Sequence, residues 1–374
     1  MADAISISEM RVHIVDLPVA AVHSHGSGDI SSIRTVILEL GTDAGITGWG
    51  EASPWPVFTG TVEANVAALH TYYRPHVIGA NALQVSRMLA RVEGLVVGCT
   101  EARAALESAL LDVVGKSCSL SVSELVGGRH RDTMPLSFSV ANPDFDEDLD
   151  TVAELYEDGV RIFKIKTGFA DHKFDLMRLE ELRNRYDTNL DLRVDYNQGM
   201  QPFEAIRRLR DLEQFNLTFV EQPVPRQDLE AMAAIARALD TPLMADESVF
   251  DARDALAAIA IGAADIFSLK IMKSGGIRSA LNVAAIARAA GVEVYGGCMF
   301  ESGIAHTAGV HLCAALAELS LGCEFYMANY YLKEDLLTEP FDVSNGHVHV
   351  PQAPGLGVEV DRDRLRKYTL EVLG

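Results

Sequence analysis

The chain has 374 residues, 48% of them hydrophobic and 23% charged, with a formal net charge of −21. That length exceeds one small core and implies two domains or one large barrel with additions. The acidity, with no compensating basic block, argues against nucleic acid or an anionic membrane as partner, and no apolar run approaches a membrane span. The five cysteines (Cys99, Cys118, Cys298, Cys313, Cys323) are scattered, with no Cys-x-x-Cys pair, which argues for a reducing compartment and against a disulfide framework or zinc site. The opening "MADAISISEMRV" lacks the basic flank and apolar core of a signal peptide. The expectation is a globular, cytoplasmic protein.

From about residue 133 short β-rich stretches alternate with Ala/Leu/Arg-rich stretches of helical pattern. In chain order the predicted strands are 135–140, 161–166, 190–195, 217–222, 242–246, 265–270, 292–297 and 319–325. The clearest helices between them are 203–215, 228–239 and 277–291. Eight strands alternating with helices imply a parallel (β/α)8-type barrel, with a doubly wound open sheet as the competitor.

Lys166, Asp195, Glu221, Asp246 and Lys270 each fall at or next to the end of a predicted strand, one βα unit apart. Any one of the acids alone is better explained as a helix N-cap or loop anchor. Five in consecutive units, lysine–acid–acid–acid–lysine, are not explained by capping, and the C-terminal strand ends of a barrel form its active-site face. Three converging carboxylates repel unless a cation joins them. An all-oxygen set suits Mg²⁺ or Mn²⁺ rather than zinc. The flanking lysines suit acid–base chemistry, with a pKa lowered by a neighbouring cation. Carboxylate chelation with opposed lysines points to proton transfer at the carbon α to a carboxylate, so the expected partner is a small carboxylate substrate. In "RIFKIKTG" (161–168), Lys164 and Lys166 share one strand face, so Lys164 is expected to tune Lys166 or to contact the substrate carboxylate. The glycine pair in "KSGGIR" (273–278) could cradle phosphate, but an ordinary βα turn explains it better.

At these residues the chain resembles the enolase superfamily, and within it the muconate lactonizing enzyme subgroup. The resemblance rests on "KIK", "DYNQG", "EQP", "ADES" and "SLKIMKSGGI", with "GITGWGEAS" (45–53), "LVGG" (125–128) and "PGLGVEVD" (354–361) outside the barrel. It covers nearly the whole chain. It implies a (β/α)7β TIM-like barrel over residues 131–325 and an α+β capping domain from residues 1–130, to which 326–374 return. It also implies Asp195, Glu221 and Asp246 as ligands of Mg²⁺ or Mn²⁺, Lys166 and Lys270 as the acid/base pair, and Asn197 beside them. Glu324, in "GCEFY", matches a glutamate of muconate-lactonizing members, and a homo-oligomer is expected from the family.

Among the subgroup's reactions, Glu324 and the overall length favour muconate cycloisomerisation, cis,cis-muconate to muconolactone. The alternative is a racemase or epimerase of an N-substituted amino acid, of the N-acyl amino acid or proline betaine type. No Asp-x-Asp follows the eighth strand, against dipeptide epimerisation, and strand seven offers no histidine base. Family specificity sits in two cap loops, here 22–32 and 53–61. In the first, His23 and His25 could meet a distal carboxylate, whereas Asp29 would suit a cationic or zwitterionic substrate. In the second, Trp55 and Phe58 either pack on the substrate or fill the cap–barrel interface. Met299 and Glu301 are expected at the pocket border.

Overall fold

The computed structural model describes residues 4–25 and 28–374, with the side chains of residues 21–25, 28 and 29 outside that description. Strands β1 (Ile7–His25), β2 (Gly28–Thr42) and β3 (Thr47–Ala52) form an antiparallel meander. The C-terminal strand Thr369–Leu373 pairs antiparallel with β1, so the two ends of the chain share one four-stranded sheet. Helix Thr100–Cys118 lies against β3 at very short range. A Cβ on Gly50 would stand 2.0 Å from the Ala105 carbonyl oxygen, and one on Gly48 would stand 2.2 Å from that of Ala109. "GWGEA" carries its glycines because the helix backbone occupies the space where side chains would go. From the same helix, buried Asp112 accepts from Trp49 N at 3.0 Å, Leu356 N at 2.9 Å and Lys116 Nζ at 2.7 Å, joining segments from both ends of the chain.

The parallel sheet comprises β5 (Ser137–Val140), β6 (Ile162–Lys166), β7 (Asp191–Asp195), β8 (Val220–Glu221), β9 (Leu243–Ala245), β10 (Ile266–Leu269) and β11 (Glu293–Gly296), neighbours in chain order throughout. Cys323 closes it by bridging both edges, Leu136 on one side and Gly296 on the other. Ser137 N donates to Cys323 O at 2.8 Å and Glu324 N to Gly296 O at 2.9 Å. This is the (β/α)7β barrel with a separate antiparallel cap.

Every predicted strand loses at least one residue, and three differ in kind. The eighth shrinks to the Cys323 bridge, since Gly322 at φ 76° takes the chain out of extended geometry just before it. The fourth keeps only Val220–Glu221, followed by Gln222 at φ 31°. The first divides at Leu136. Its leading part, β4 (Thr133–Pro135), pairs antiparallel with β13 (His347–His349), which also pairs with β12 (Val343–Ser344).

Alternation sorts each barrel strand into two faces. On β7, Leu192 and Val194 join the large apolar core, while Asp191, Arg193 and Asp195 form the other set. The barrel interior is a small cluster of Phe219, Met244, Ile266 and Tyr295. The Arg193 guanidinium lies 4.9 Å from the Phe219 ring centroid and is held by Asp191 and by Leu321 O at 2.7 Å. Helix N-caps are supplied by Asp144, Asp171, Asp228 and Asp251. None of the strand-end acids is needed for capping.

Two outcomes follow for stability. Gly50→Ala drives a methyl into the Ala105 carbonyl and is expected to cost about 1–3 kcal/mol or more, measured by urea denaturation. Glu39 accepts from Arg362 at 2.8 Å and lies 3.2 Å from His13 and 3.6 Å from Arg11. Burial pushes its pKa up, but these partners outweigh it and lower the carboxyl from 4.5 to about 2. A lowered folded pKa stabilises above the unfolded value and loses that contribution as pH falls through the folded one. Stability should therefore decline between pH 4.5 and 2, and Glu39→Gln should flatten that part of a pH series of denaturation midpoints.

Candidate active site

Lys166, Asp195 and Glu221 stand in register across β6, β7 and β8, and Asp246 follows the end of β9. Lys270 follows β10, which is separated from β6 by three strands (β7, β8 and β9) one way round and by β11, the Cys323 bridge and β5 the other. The two lysines therefore rise from opposite sides of the barrel mouth.

Each acid is engaged by an ammonium group. Lys164, wholly buried, reaches Glu221 at 2.7 Å, Glu324 at 2.6 Å and Asp195 at 3.5 Å. Lys166 donates to Asp195 at 2.5 Å and to Asn197 Oδ1 at 2.9 Å. Lys270 and Lys273 share Asp246, at 2.6 and 2.8 Å. Asn197, at φ 42°, also contacts Glu247 Oε1 at 3.3 Å.

Burial and charge pull the titrations apart. Burial opposes the charge on Lys164, yet Glu221 and Glu324 outweigh it and raise its pKa well above the ordinary value. Lys270 is likewise raised, by Asp246, Glu324 and Glu221 against burial. Around Lys270 the carboxylates outweigh the neighbouring Lys164, opposite in direction to the lowering expected beside a second cation. Asp195 and Asp246 are lowered, their lysines overcoming burial. Glu221 is raised to about 8 by burial and by Asp195, and Glu247 to about 7 by burial and by Asp246.

Among the described residues no three His, Cys, Asp or Glu side chains are already gathered as a chelating group, since lysines stand between the acids. The residues nevertheless suit a hard divalent cation. Five carboxyls (Asp195, Glu221, Asp246, Glu247, Glu324) face four lysines, and Glu221 Oε1 and Glu247 Oε2 are buried with no hydrogen-bond partner. A cation would satisfy both the surplus charge and the idle oxygens.

Of the expected residues, Lys166, Lys270, Asn197, Glu324, Met299 and Trp55 line one narrow pocket. Ser139, Cys298, Phe300, Tyr326 and Met327 line it too and were missed. Ser139 could have been found as the residue two beyond Ser137 on β5, and Cys298 and Phe300 as the neighbours of Met299. Lys273, also missed, lies one helical turn beyond Lys270. Lys164, Asp195, Glu221 and Asp246 do not line this pocket, and neither do two of the loop residues expected at the substrate. Phe58 stacks edge-on with Trp55 and Phe250, at 6.3 and 5.5 Å, with the Lys270 ammonium 5.3 Å from its ring centroid. Glu301 is buried behind Met299 and accepts from Met299 N at 2.8 Å. The side chains of His23, His25 and Asp29 lie outside the described residues.

Residues 9–127 match the family model of the mandelate racemase / muconate lactonizing enzyme N-terminal domain, and residues 147–364 match the enolase C-terminal domain-like model. The solved structure of a muconate cycloisomerase from Azorhizobium caulinodans superposes with TM-score 0.88 at 45% identity, covering 100% of both chains. A chloromuconate cycloisomerase of Cupriavidus pinatubonensis is 35% identical over 95% of this chain and 96% of its own. An L-Ala-D/L-Glu epimerase of Bacillus subtilis is 34% identical over 88% and 90%.

Replacing Lys164 by methionine leaves three buried acids without their shared cation. The expected loss is about 3–5 kcal/mol of unfolding free energy, read by urea denaturation, with a smaller loss for Lys166→Met, whose side chain is 13% exposed.

Proposed function

The chain belongs to the mandelate racemase / muconate lactonizing enzyme family of the enolase superfamily, and from that premise we propose that it is a muconate cycloisomerase. Proton transfer α to a carboxylate, common to the family's reactions, rests on the pair of lysines facing each other across a strand-end carboxylate cluster. Glu324 at the closing strand, paired with Lys164 at 2.6 Å, favours cycloisomerisation, as does the likeness to muconate and chloromuconate cycloisomerases.

In the lactone direction one substrate carboxylate oxygen closes onto the carbon β to the other carboxylate. The double-bond electrons move toward that second carboxylate as an enolate, and a lysine ammonium delivers a proton to the α carbon. Lys166 and Lys270, which line the pocket from opposite sides of the mouth, are the groups placed to deliver it. Asn197 and Asp195 hold the Lys166 amine in position. Lys164, bound by three acids, acts as a fixed positive charge beneath the site. Asp195, Glu221 and Asp246 would hold the divalent metal on which the superfamily depends, Mg²⁺ or Mn²⁺, and it would supply positive charge opposite the developing enolate. The cap, from residues 1–130 and 326–374, would exclude water from the mouth through its loops.

Racemisation of an N-substituted amino acid is the second reading, favoured by lysines on both faces and by the likeness to an epimerase. Proton NMR in D₂O with Mg²⁺ or Mn²⁺ separates the two. Conversion of cis,cis-muconate to a lactone with deuterium at the α carbon supports the cycloisomerase. Exchange of the α proton of an N-acyl amino acid, with muconate untouched, supports the racemase. Lys166→Ala and Lys270→Ala should each lower turnover by about 10²–10⁴-fold, and full activity in either variant would overturn the mechanism. Chelator treatment should abolish turnover, with Mg²⁺ or Mn²⁺ restoring it.

A further inference from the structure

Between β11 and helix Gly303–Ala314 runs a short segment, Cys298–Ser302, whose Met299 and Phe300 form one wall of the pocket. Four of its five residues are tied at the backbone. Cys298 N donates to Glu324 Oε1 at 3.1 Å, and Met299 N to Glu301 Oε1 at 2.8 Å. The Phe300 carbonyl accepts from Ser53 Oγ of the cap. Ser302 donates through N and Oγ to Glu51 of β3, at 3.0 and 2.6 Å. Glu51 also takes Ala305 N at 3.1 Å and Thr35 Oγ1 at 2.9 Å, so it joins cap and barrel at the helix N-terminus.

Within this strap Glu301 is 1% exposed and does not line the pocket. A carboxyl placed there to touch substrate would face the mouth. This one turns back to hold the amide of the residue before last, with its other oxygen 4.0 Å from His306 Nε2. A buried acid carries a desolvation cost, and the contact it makes here is to the backbone that aims Met299 and Phe300. Phe300 in turn stacks edge-on with Trp55 at 5.5 Å, so the direction of the strap sets the space left between cap and barrel.

We infer that Glu301 is a positioning residue that sets the pocket wall through Met299 N–H, and so determines how bulky a substrate the site admits. The selectivity part of this inference rests on the cycloisomerase reading; the wall geometry does not.

The test compares Glu301→Ala with Glu301→Gln, which keeps an acceptor for Met299 N–H. Kinetics are run on cis,cis-muconate and 2-chloro-cis,cis-muconate, with thermal melts to correct for folded protein. Glu301→Ala should change the ratio of kcat/KM between the two substrates by about tenfold, mainly through KM, and Glu301→Gln should restore most of it. An unchanged ratio and KM in Glu301→Ala would overturn the inference, as would a glutamine variant as impaired as alanine. A second readout needs no turnover. In a Trp49→Phe background, Glu301→Ala should shift Trp55 emission as Phe300 moves away, and an emission spectrum identical to that of the parent would overturn the wall geometry. Wild-type protein inactive on both muconates, with the emission shift present, would instead remove the cycloisomerase reading and leave Glu301 as the wall's anchor.

Discussion

The Lys164 ammonium, enclosed by Glu221, Glu324 and Asp195 with no exposure to solvent, is the constraint on which the catalytic face depends. An unpaired charge at that depth costs several kcal/mol, so the strands must bring acids to it. They must do so from different parts of the barrel, Glu221 from β8, Asp195 from β7 and Glu324 from the closing segment. Closure of the barrel at Cys323 brings Glu324 to this lysine, beside the two acids of β7 and β8. The acids are left partly unsatisfied, and that residue of charge is what equips the mouth for a cation and a carboxylate substrate.

A second set of buried acids works differently. Glu51 and Asp335 both receive backbone N–H groups at the start of helix Gly303–Ala314, Glu51 from Ser302 and Ala305 and Asp335 from Gly303 at 2.9 Å. They use the unpaired donors and positive end of the helix in place of lysines. Through them β3 and the segment near residue 335 meet the barrel at one helix terminus, just behind the pocket wall. Cap and barrel are thus joined where a displacement would reach Met299 and Phe300 most directly.

Much of the fold was legible because strand alternation and helix periodicity are local. "DLRVD" displays its two faces in its letters, and the acid-ending strands follow one another at βα spacing. The short elements were not legible. Nothing in "LSLGCEF" shows that only Cys323 stays in the ladder, because that depends on the Gly322 turn and on two edges far away in the chain. Lys273 and Ser139 were overlooked for a related reason. Their importance lies in what faces them, Asp246 in one case and the pocket in the other.

By itself the sequence determined the barrel, the lysine–acid–acid–acid–lysine order and the type of chemistry, since residue type and strand position are enough to place a side chain at the mouth. Only the tertiary structure decided which groups face each lysine and how the wall is held. It gave Lys164 three acids rather than a bare role as neighbour to Lys166, it set Lys270 and Lys273 together on Asp246, and it turned Glu301 away from the pocket to hold a backbone amide. Those outcomes depend on burial and on distances between residues remote in the chain, neither of which is encoded in any local pattern.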